Sequence, residues 1–354
     1  SWSADQLGHV HEALDAPPRP GTDLGLYLHI PFCRKRCKFC YFRVYTDKKY
    51  DEIGAYMDAM AREVELYAGK RAVAGRKPRF VYFGGGTPSY INPKQLRDLV
   101  ARVQAVFPWD DVEEVTFECE PGTLSEARLE TYKEVGVTRL SLGIEHFDDD
   151  ILRENGRAHG SKESYRVLPW LKRIGFEQLN IDLIAGMLGE TDEKWKDAVK
   201  RALEVEPDSV TIYQLELPFN TRFTKSLRSG ELELPVADWD TKRRWHDYAI
   251  KEFSKAGYEV SSAYTMVKDK ETCRFVYRNS VWRGCDLVGM GVASFSHLSG
   301  VHFQNVDGWG EYLARLGFEG KEAELPLGRA KLTTEDERLT RELILQLKLG
   351  RIGT

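Results

Sequence analysis

No stretch of this 354-residue chain approaches the roughly 20 apolar residues needed to cross a bilayer. The opening Ser1-Trp2-Ser3-Ala4-Asp5 has neither the basic nor the apolar region of a secretory leader, so the chain is expected to be cytoplasmic with no transmembrane segment. An excess of positive charge is missing as well. With 51 Lys and Arg against 55 Asp and Glu the formal net charge is -4, which gives no field for a polyanion and makes nucleic acid an unexpected partner. Low-complexity tracts are absent, and no repeat occurs beyond an alternating strand and helix pattern. Cysteine is sparse and unevenly placed: three of six crowd into eight residues, while Cys119, Cys273 and Cys285 are scattered. A secreted disulfide framework is thereby excluded, and the crowding favours a metal.

What is present is an α/β pattern. Residues 1–23 read as a short helical extension and a proline-punctuated linker. Apolar runs of strand length then alternate with helical patterns, at Leu26-Ile30, Phe80-Phe83, Val115-Glu118, Arg139-Ile144, Leu179-Ile184 and Val210-Leu215. Six such units predict parallel strands in a partial (β/α)6 barrel over residues 24–256, with the active site at the strands' carboxyl ends. Thr123 with Glu126 predicts a capping box opening the helix of Leu129 and Tyr132. From residue 257 the rhythm changes to short β-like runs, which places a smaller α+β region over 257–354. Its last helix carries Leu339, Leu343, Ile344 and Leu347 at helical spacing, a face that needs covering, and a further segment past Thr354 is one expectation.

The dense chemistry begins after the first strand, in Tyr27-Leu28-His29-Ile30-Pro31-Phe32-Cys33-Arg34-Lys35-Arg36-Cys37-Lys38-Phe39-Cys40. Three thiolates spaced Cys-x3-Cys-x2-Cys can wrap one face of a four-iron cubane and leave the fourth iron open. Structural zinc takes four protein ligands, usually from paired Cys elements, and no second pair exists. The loop resembles the signature of the radical S-adenosylmethionine (SAM) superfamily. Phe39 stands where that family carries an aromatic residue before its third cysteine. The longer run from Tyr27 to Cys33 is similar to the oxygen-independent coproporphyrinogen III oxidase branch. That branch also holds heme chaperones, anaerobic heme-degrading enzymes, and class C radical SAM methyltransferases and cyclopropanases.

The resemblance implies a [4Fe-4S] cluster on Cys33, Cys37 and Cys40 as the catalytic and metal-ligating residues, with SAM on the open iron. It implies SAM contacts at further positions, beginning with Tyr27, Phe39 and Ile184. In Phe83-Gly84-Gly85-Gly86-Thr87-Pro88, Gly85, Gly86 and Thr87 match an element that holds the SAM amino group, where glycines let backbone amides approach a ligand. Glu118 matches the branch's glutamate, Arg157 its carboxylate-binding arginine, and Asp182 its ribose-binding aspartate. Glu145, in Gly143-Ile144-Glu145-His146-Phe147, replaces the usual glutamine, and can accept from a ribose but cannot donate. His146 reads as an incidental neighbour.

Gly289-Met290-Gly291-Val292-Ala293-Ser294 is similar to a Gly-rich element near a second SAM in the oxidases, which makes Gly289 and Gly291 candidate contacts. Cys119 and Cys285 read as small buried hydrophobes, and His297 and His302 as ordinary histidines more readily than heme ligands. The basic run Arg34, Lys35, Arg36, Lys38, Arg43, Lys48 and Lys49 reads equally as a solvated loop or as a docking face for an acidic reductant such as flavodoxin or ferredoxin. Phe42 stands at the position of the oxidase's fourth motif cysteine, and the oxidase's long carboxy-terminal region has no counterpart here. The resulting expectation is hydrogen abstraction from a small-molecule substrate, with methyl or methylene transfer to a hydrophobic or tetrapyrrole-like molecule first. Oxidative decarboxylation of coproporphyrinogen III and heme handling are the alternatives.

Overall fold

The computed structural model describes residues 2–218, 221–229, 236–318, 320 and 322–350. Two compact units divide the chain. The first comprises residues 1–32, 47–116 and 275–354, and the second residues 33–46 and 117–274.

In chain order the first unit holds α1 (Leu7–Asp15), β1 (Leu24–Ile30), α2 (Tyr50–Ala68), β2 (Pro78–Gly85) and α3 (Pro93–Val106). Strand β3 (Glu114–Cys119) begins in the first unit and ends in the second. The second unit continues with α4 (Glu126–Glu134), β4 (Arg139–Glu145), α5 (Asp149–Glu154), α6 (Ser161–Ile174), β5 (Gln178–Ala185), α7 (Asp192–Val205), β6 (Ser209–Gln214), α8 (Arg222–Ser229), α9 (Trp239–Lys255), β7 (Glu259–Val260) and β8 (Thr265–Val267). The chain then returns to the first unit with α10 (Val276–Trp282), β9 (Asp286–Met290), β10 (Phe295–Leu298), β11 (Val301–Asn305), α11 (Trp309–Arg315), β12 (Leu327–Leu332) and α12 (Glu335–Leu347). Among the described residues no helix is long and apolar enough to cross a membrane.

All six expected strands form, each within one or two residues of its apolar run. β1 pairs with β2, and β4 with β5 and β5 with β6, all in parallel as the intervening helices require. Helix starts follow local chemistry: Pro93 takes the first position of α3 behind an Asn92 cap, and Thr191 caps α7. The capping box expected at Thr123 is not used. Thr123 sits in a 3-10 turn, and Ser125 caps α4 by accepting from the Arg128 amide.

The organisation departs from the sequence reading at two places, and the last helix keeps the uncovered face read for it. The boundary at 256/257 is not a division between the compact units, because β9 adds to β1 in parallel, with Leu24 opposite Asp286, and residues 275–354 join the first unit. Residues 1–23 are more than a linker. Val10 and Leu14 of α1 are fully buried, and Ser3 bridges Ala330 of β12. In α12 the apolar stripe lies in solvent, with Leu339 67% and Leu347 55% exposed.

Candidate active site

The second unit carries the three thiols on a loop with few hydrogen bonds of its own. Cys33 donates its amide to the Tyr45 carbonyl at 3.0 Å, and Cys40 donates to the Cys37 carbonyl at 3.2 Å. Neighbouring elements supply the rest: the Lys38 amide donates to the Asn155 carbonyl at 3.1 Å, and the Phe223 amide donates to the Lys38 carbonyl at 3.2 Å. Gly156 has φ +76, and a Cβ there would lie 3.2 Å from Lys38, so glycine is what lets the loop come this close. Phe39 anchors the loop from below by packing on Ile151, Ile184, Met187 and Leu215. Two expected contacts, Phe39 and Ile184, therefore meet on one apolar floor.

All three cysteines are free thiols, Cys33 buried and Cys37 and Cys40 partly exposed. Among the described residues no three His, Cys, Asp or Glu side chains converge tightly enough for one ion. A cubane makes a different demand, since each thiolate binds its own iron and the sulfurs stand farther apart than the ligands of a single ion. Arg157 supplies the observation that tests the fit. One Nη of its guanidinium lies 3.5 Å from the Cys37 Sγ, the other donates to the Gly143 carbonyl at 2.7 Å, and its buried Nε has no hydrogen-bond partner among the described residues. Burial works against this cation, yet Cys37, Glu145 and Glu120 hold its pKa above the usual arginine value. An unsatisfied N-H beside a thiol loop fits a carboxylate-bearing ligand.

Glu145 ends β4 at a register shift, with φ +66, a left-handed conformation uncommon for a side-chain-bearing residue. Its carboxylate lies 3.5 Å from Arg157, and burial pushes its pKa up against that guanidinium. Asp182 on β5 accepts from Ser141 Oγ at 2.9 Å and from Asn180 Nδ2 at 3.0 Å. Burial, helped by the charges of Glu145 and Glu118, pushes its carboxyl up to about 8. Glu118, Glu145, Arg157 and Asp182 are thus brought into one electrostatic neighbourhood at the ends of β3, β4 and β5. His146 is not in it. Its Nδ1 accepts from the Asp148 amide at 2.9 Å and its Nε2 lies 3.0 Å from Glu190, so its ring is taken up by structural contacts.

Sequence reasoning missed a supporting network. Arg34 donates to both oxygens of Glu120, at 3.0 and 3.2 Å, and to the Ala158 carbonyl at 2.8 Å. His159 Nδ1 lies 3.0 Å from Glu120, and burial, which alone would raise the Glu120 carboxyl, is outweighed by His159, Arg34 and Arg157, which hold it at about 2. Arg34 and Glu120 thereby tie the residue after Cys33 to the segment that directly follows Arg157, at Ala158 and His159. Of the basic run, Arg34 and Lys48 are engaged in ion pairs and Arg36 donates to the Cys40 carbonyl, so the run is not a free docking face throughout.

The first unit carries the remaining expected contacts. Gly85 has φ +116, and a Cβ there would strike the His29 ring at 2.6 Å. The amides of Gly86 and Thr87 are already taken, donating to the carbonyls of Ile30 and Phe32 at 2.8 Å each. This corrects the expectation that those amides face a ligand: they hold the chain just ahead of Cys33. Tyr27 stacks on Tyr82 and meets His29 Nδ1 at 3.1 Å, leaving the buried His29 Nε2 without a partner among the described residues.

Gly289 and Gly291 do not open onto space. A Cβ on Gly289 would lie 2.2 Å from the Phe295 carbonyl oxygen, and one on Gly291 would lie 2.5 Å from the Tyr56 hydroxyl. The Gly291 amide donates to buried Glu63 at 2.8 Å, which also accepts from Tyr312 and Asn305 at 2.6 Å each. These glycines are packing requirements, since a side chain at either would meet protein atoms. Cys285 packs against Phe80 and Val276, and Cys119 is buried with its Sγ toward the Phe117 carbonyl, as expected of small hydrophobes. His297 and His302 face each other across β10 and β11 with ring centroids 5.9 Å apart. Burial, then the charge of Arg341, pushes both below the usual histidine range.

The profile of the radical SAM superfamily matches residues 27–202, a span that starts at Tyr27 and contains the cysteine loop, Glu118, Glu145, Arg157 and Asp182. The heme chaperone HemW of Lactococcus lactis is 30% identical over 292 residues, covering 81% of this chain and 73% of that protein. The chain belongs to the radical SAM superfamily. Its place is in the coproporphyrinogen III oxidase-like branch: the oxygen-independent coproporphyrinogen III oxidase of Escherichia coli is 27% identical over 342 residues, covering 94% of this chain and 72% of that protein. The solved structure of the Escherichia coli coproporphyrinogen III oxidase HemN, described as a radical SAM enzyme, aligns with a TM-score of 0.82 at 25% identity over 99% of this chain and 80% of that one. The α/β fold of this radical SAM chain is therefore that of the branch, and its cofactors are the family's [4Fe-4S] cluster and SAM.

Proposed function

We propose that this chain is a radical SAM enzyme that directs hydrogen abstraction at a tetrapyrrole-class ligand. The carrying observation is Arg157, a buried guanidinium beside Cys37 whose Nε has no partner among the described residues. In this reading Cys33, Cys37 and Cys40 would hold the cluster, and Arg157 would donate its Nε-H to the SAM carboxylate. The cluster would supply the single-electron reduction of SAM on which hydrogen abstraction depends. Glu145 and Asp182 accept from ribose hydroxyls, and Glu118 adds negative charge that favours a cationic sulfonium. Phe39 and Ile184 give an apolar wall that excludes water. A flavodoxin or ferredoxin is the reductant class the reading requires.

Tetrapyrrole is named because the relatives are named for heme and coproporphyrinogen. Phe42, where the oxidase carries its fourth cysteine, favours heme handling over decarboxylation as the second reading. Methyl transfer loses its motive, since Gly289 and Gly291 pack against the protein.

Anaerobically reconstituted chain is expected to hold about four irons, and SAM to perturb its reduced spin-resonance spectrum. Replacing Cys33, Cys37 and Cys40 by Ala removes both. Arg157→Ala keeps the iron and weakens SAM binding about ten- to a hundredfold, the worth of a charge-assisted bond. Full iron in the triple variant would refute the ligand assignment. With heme or coproporphyrinogen III supplied, deoxyadenosine plus carbon dioxide marks decarboxylation, and comparable S-adenosylhomocysteine marks methyl transfer. Heme uptake without deoxyadenosine marks a chaperone and overturns the enzyme reading.

A further inference from the structure

Exposed aromatic rings are costly in water, and three of those in the second unit belong to two stacked pairs. Tyr41 and Phe42 directly follow Cys40, stack with centroids 4.5 Å apart at 29°, and are 52% and 44% exposed. Tyr213, one residue from the carboxyl end of β6, is 46% exposed and stacks on Tyr264 at 6.3 Å and 27°. The pairs are neighbours. Phe39, two residues before Tyr41, packs with Ile184 and Leu215; Ile184 is the register partner of Tyr213, and Leu215 follows β6 directly. Glu216 comes near enough to Tyr41 to oppose ionisation of its phenol, behind burial as the larger cause.

We infer that Tyr41, Phe42 and Tyr213 form the docking face for a planar tetrapyrrole, which they recognise by ring stacking rather than through its metal. This rests on the tetrapyrrole reading above and names the surface that reading lacks. A flat conjugated macrocycle offers each ring a large apolar face in the offset geometry that aromatic pairs prefer. Arg43, next in sequence, is exposed and adds a positive charge to this stretch, which suits a macrocycle's carboxylates. The nearby imidazoles are committed elsewhere: His146 to Glu190, and His159 to the Ile144 carbonyl and Glu120. Neither of these two imidazoles is placed to ligate the ligand's iron. Phe42 also gives the cysteine replacement a positive role, because a thiol at that position cannot stack.

The probe is protoporphyrin IX, which carries no iron, titrated by fluorescence into the full reconstituted chain. Phe42→Ala and Tyr213→Ala are each expected to weaken binding about tenfold, while cluster iron and the SAM-induced spectral change stay as in the unaltered chain. Phe42→Trp keeps a flat ring and is expected to retain binding, which separates lost stacking from a disturbed loop. Tyr165→Ala, an exposed ring on α6, changes nothing. If both Ala variants bind as tightly as the unaltered chain, the docking face is wrong and the tetrapyrrole reading stands. If the unaltered chain binds neither protoporphyrin IX nor heme, that reading fails and the docking face with it.

Discussion

At the scale of single residues, Asp182 is a buried carboxyl crowded by two others. Its carboxyl is pushed up to about 8 by burial and by Glu145 and Glu118, so at neutral pH it holds a proton. A cationic SAM favours the ionised form, so binding releases a proton and tightens as pH rises towards and through 8. Calorimetric titrations at pH 6.5 and 8.5 in buffers of different ionisation enthalpy check this, and Asp182→Asn is expected to flatten the dependence. The SAM-free chain has the opposite sign: stability from the protonated carboxyl is full below its ordinary value near 4 and is lost as pH rises to 8. Cys33, Cys37 and Cys40 were legible in the sequence because their spacing is covalent. Glu120 was not. It reads as one more loop carboxylate before a proline, and its importance comes from Arg34, 86 residues earlier, which only the fold brings to it.

At the scale of elements, α2, α11 and the turn after β9 meet at Glu63, a fully buried carboxyl that burial pushes up to about 7 against its three donors. Tyr312→Phe removes the shortest of these contacts that comes from a hydroxyl. It is expected to cost about 1–3 kcal/mol, seen as a lower urea midpoint with an unchanged slope, and to raise the Glu63 carboxyl further. Recovery of the six strands from alternating apolar runs is understandable, since parallel strands buried on both faces read as continuous apolar segments. The pattern does not report pairing. β9 fell inside the region read as separate from residue 257, where the rhythm changes to short β-like runs, and only the register Leu24 to Asp286 shows it adding to β1. The bend at Glu145 was equally invisible, since a left-handed residue leaves no signature unless it is glycine or asparagine.

At the scale of the whole molecule, each compact unit is assembled from separated stretches of chain, three in the first and two in the second. Removing residues 275–354 is therefore expected to do more than trim an appendage. It takes β9 from β1, and it takes from buried Glu114 the amides of Val276 and Tyr277, which donate at 2.9 and 3.2 Å. A chain ending at Arg274 should lose its cooperative thermal transition and precipitate on expression; a soluble, cooperatively melting fragment would restore the boundary read from the sequence. The same β1 and β9 pairing sets a schedule for synthesis. About 260 residues separate the partners, so at about 5–20 residues per second β1 waits roughly 13 to 50 s on the ribosome with one edge bare. Through that interval the three thiols a few residues beyond β1 hang from an unfinished strand, and cluster delivery has to follow chain completion or be shielded until then.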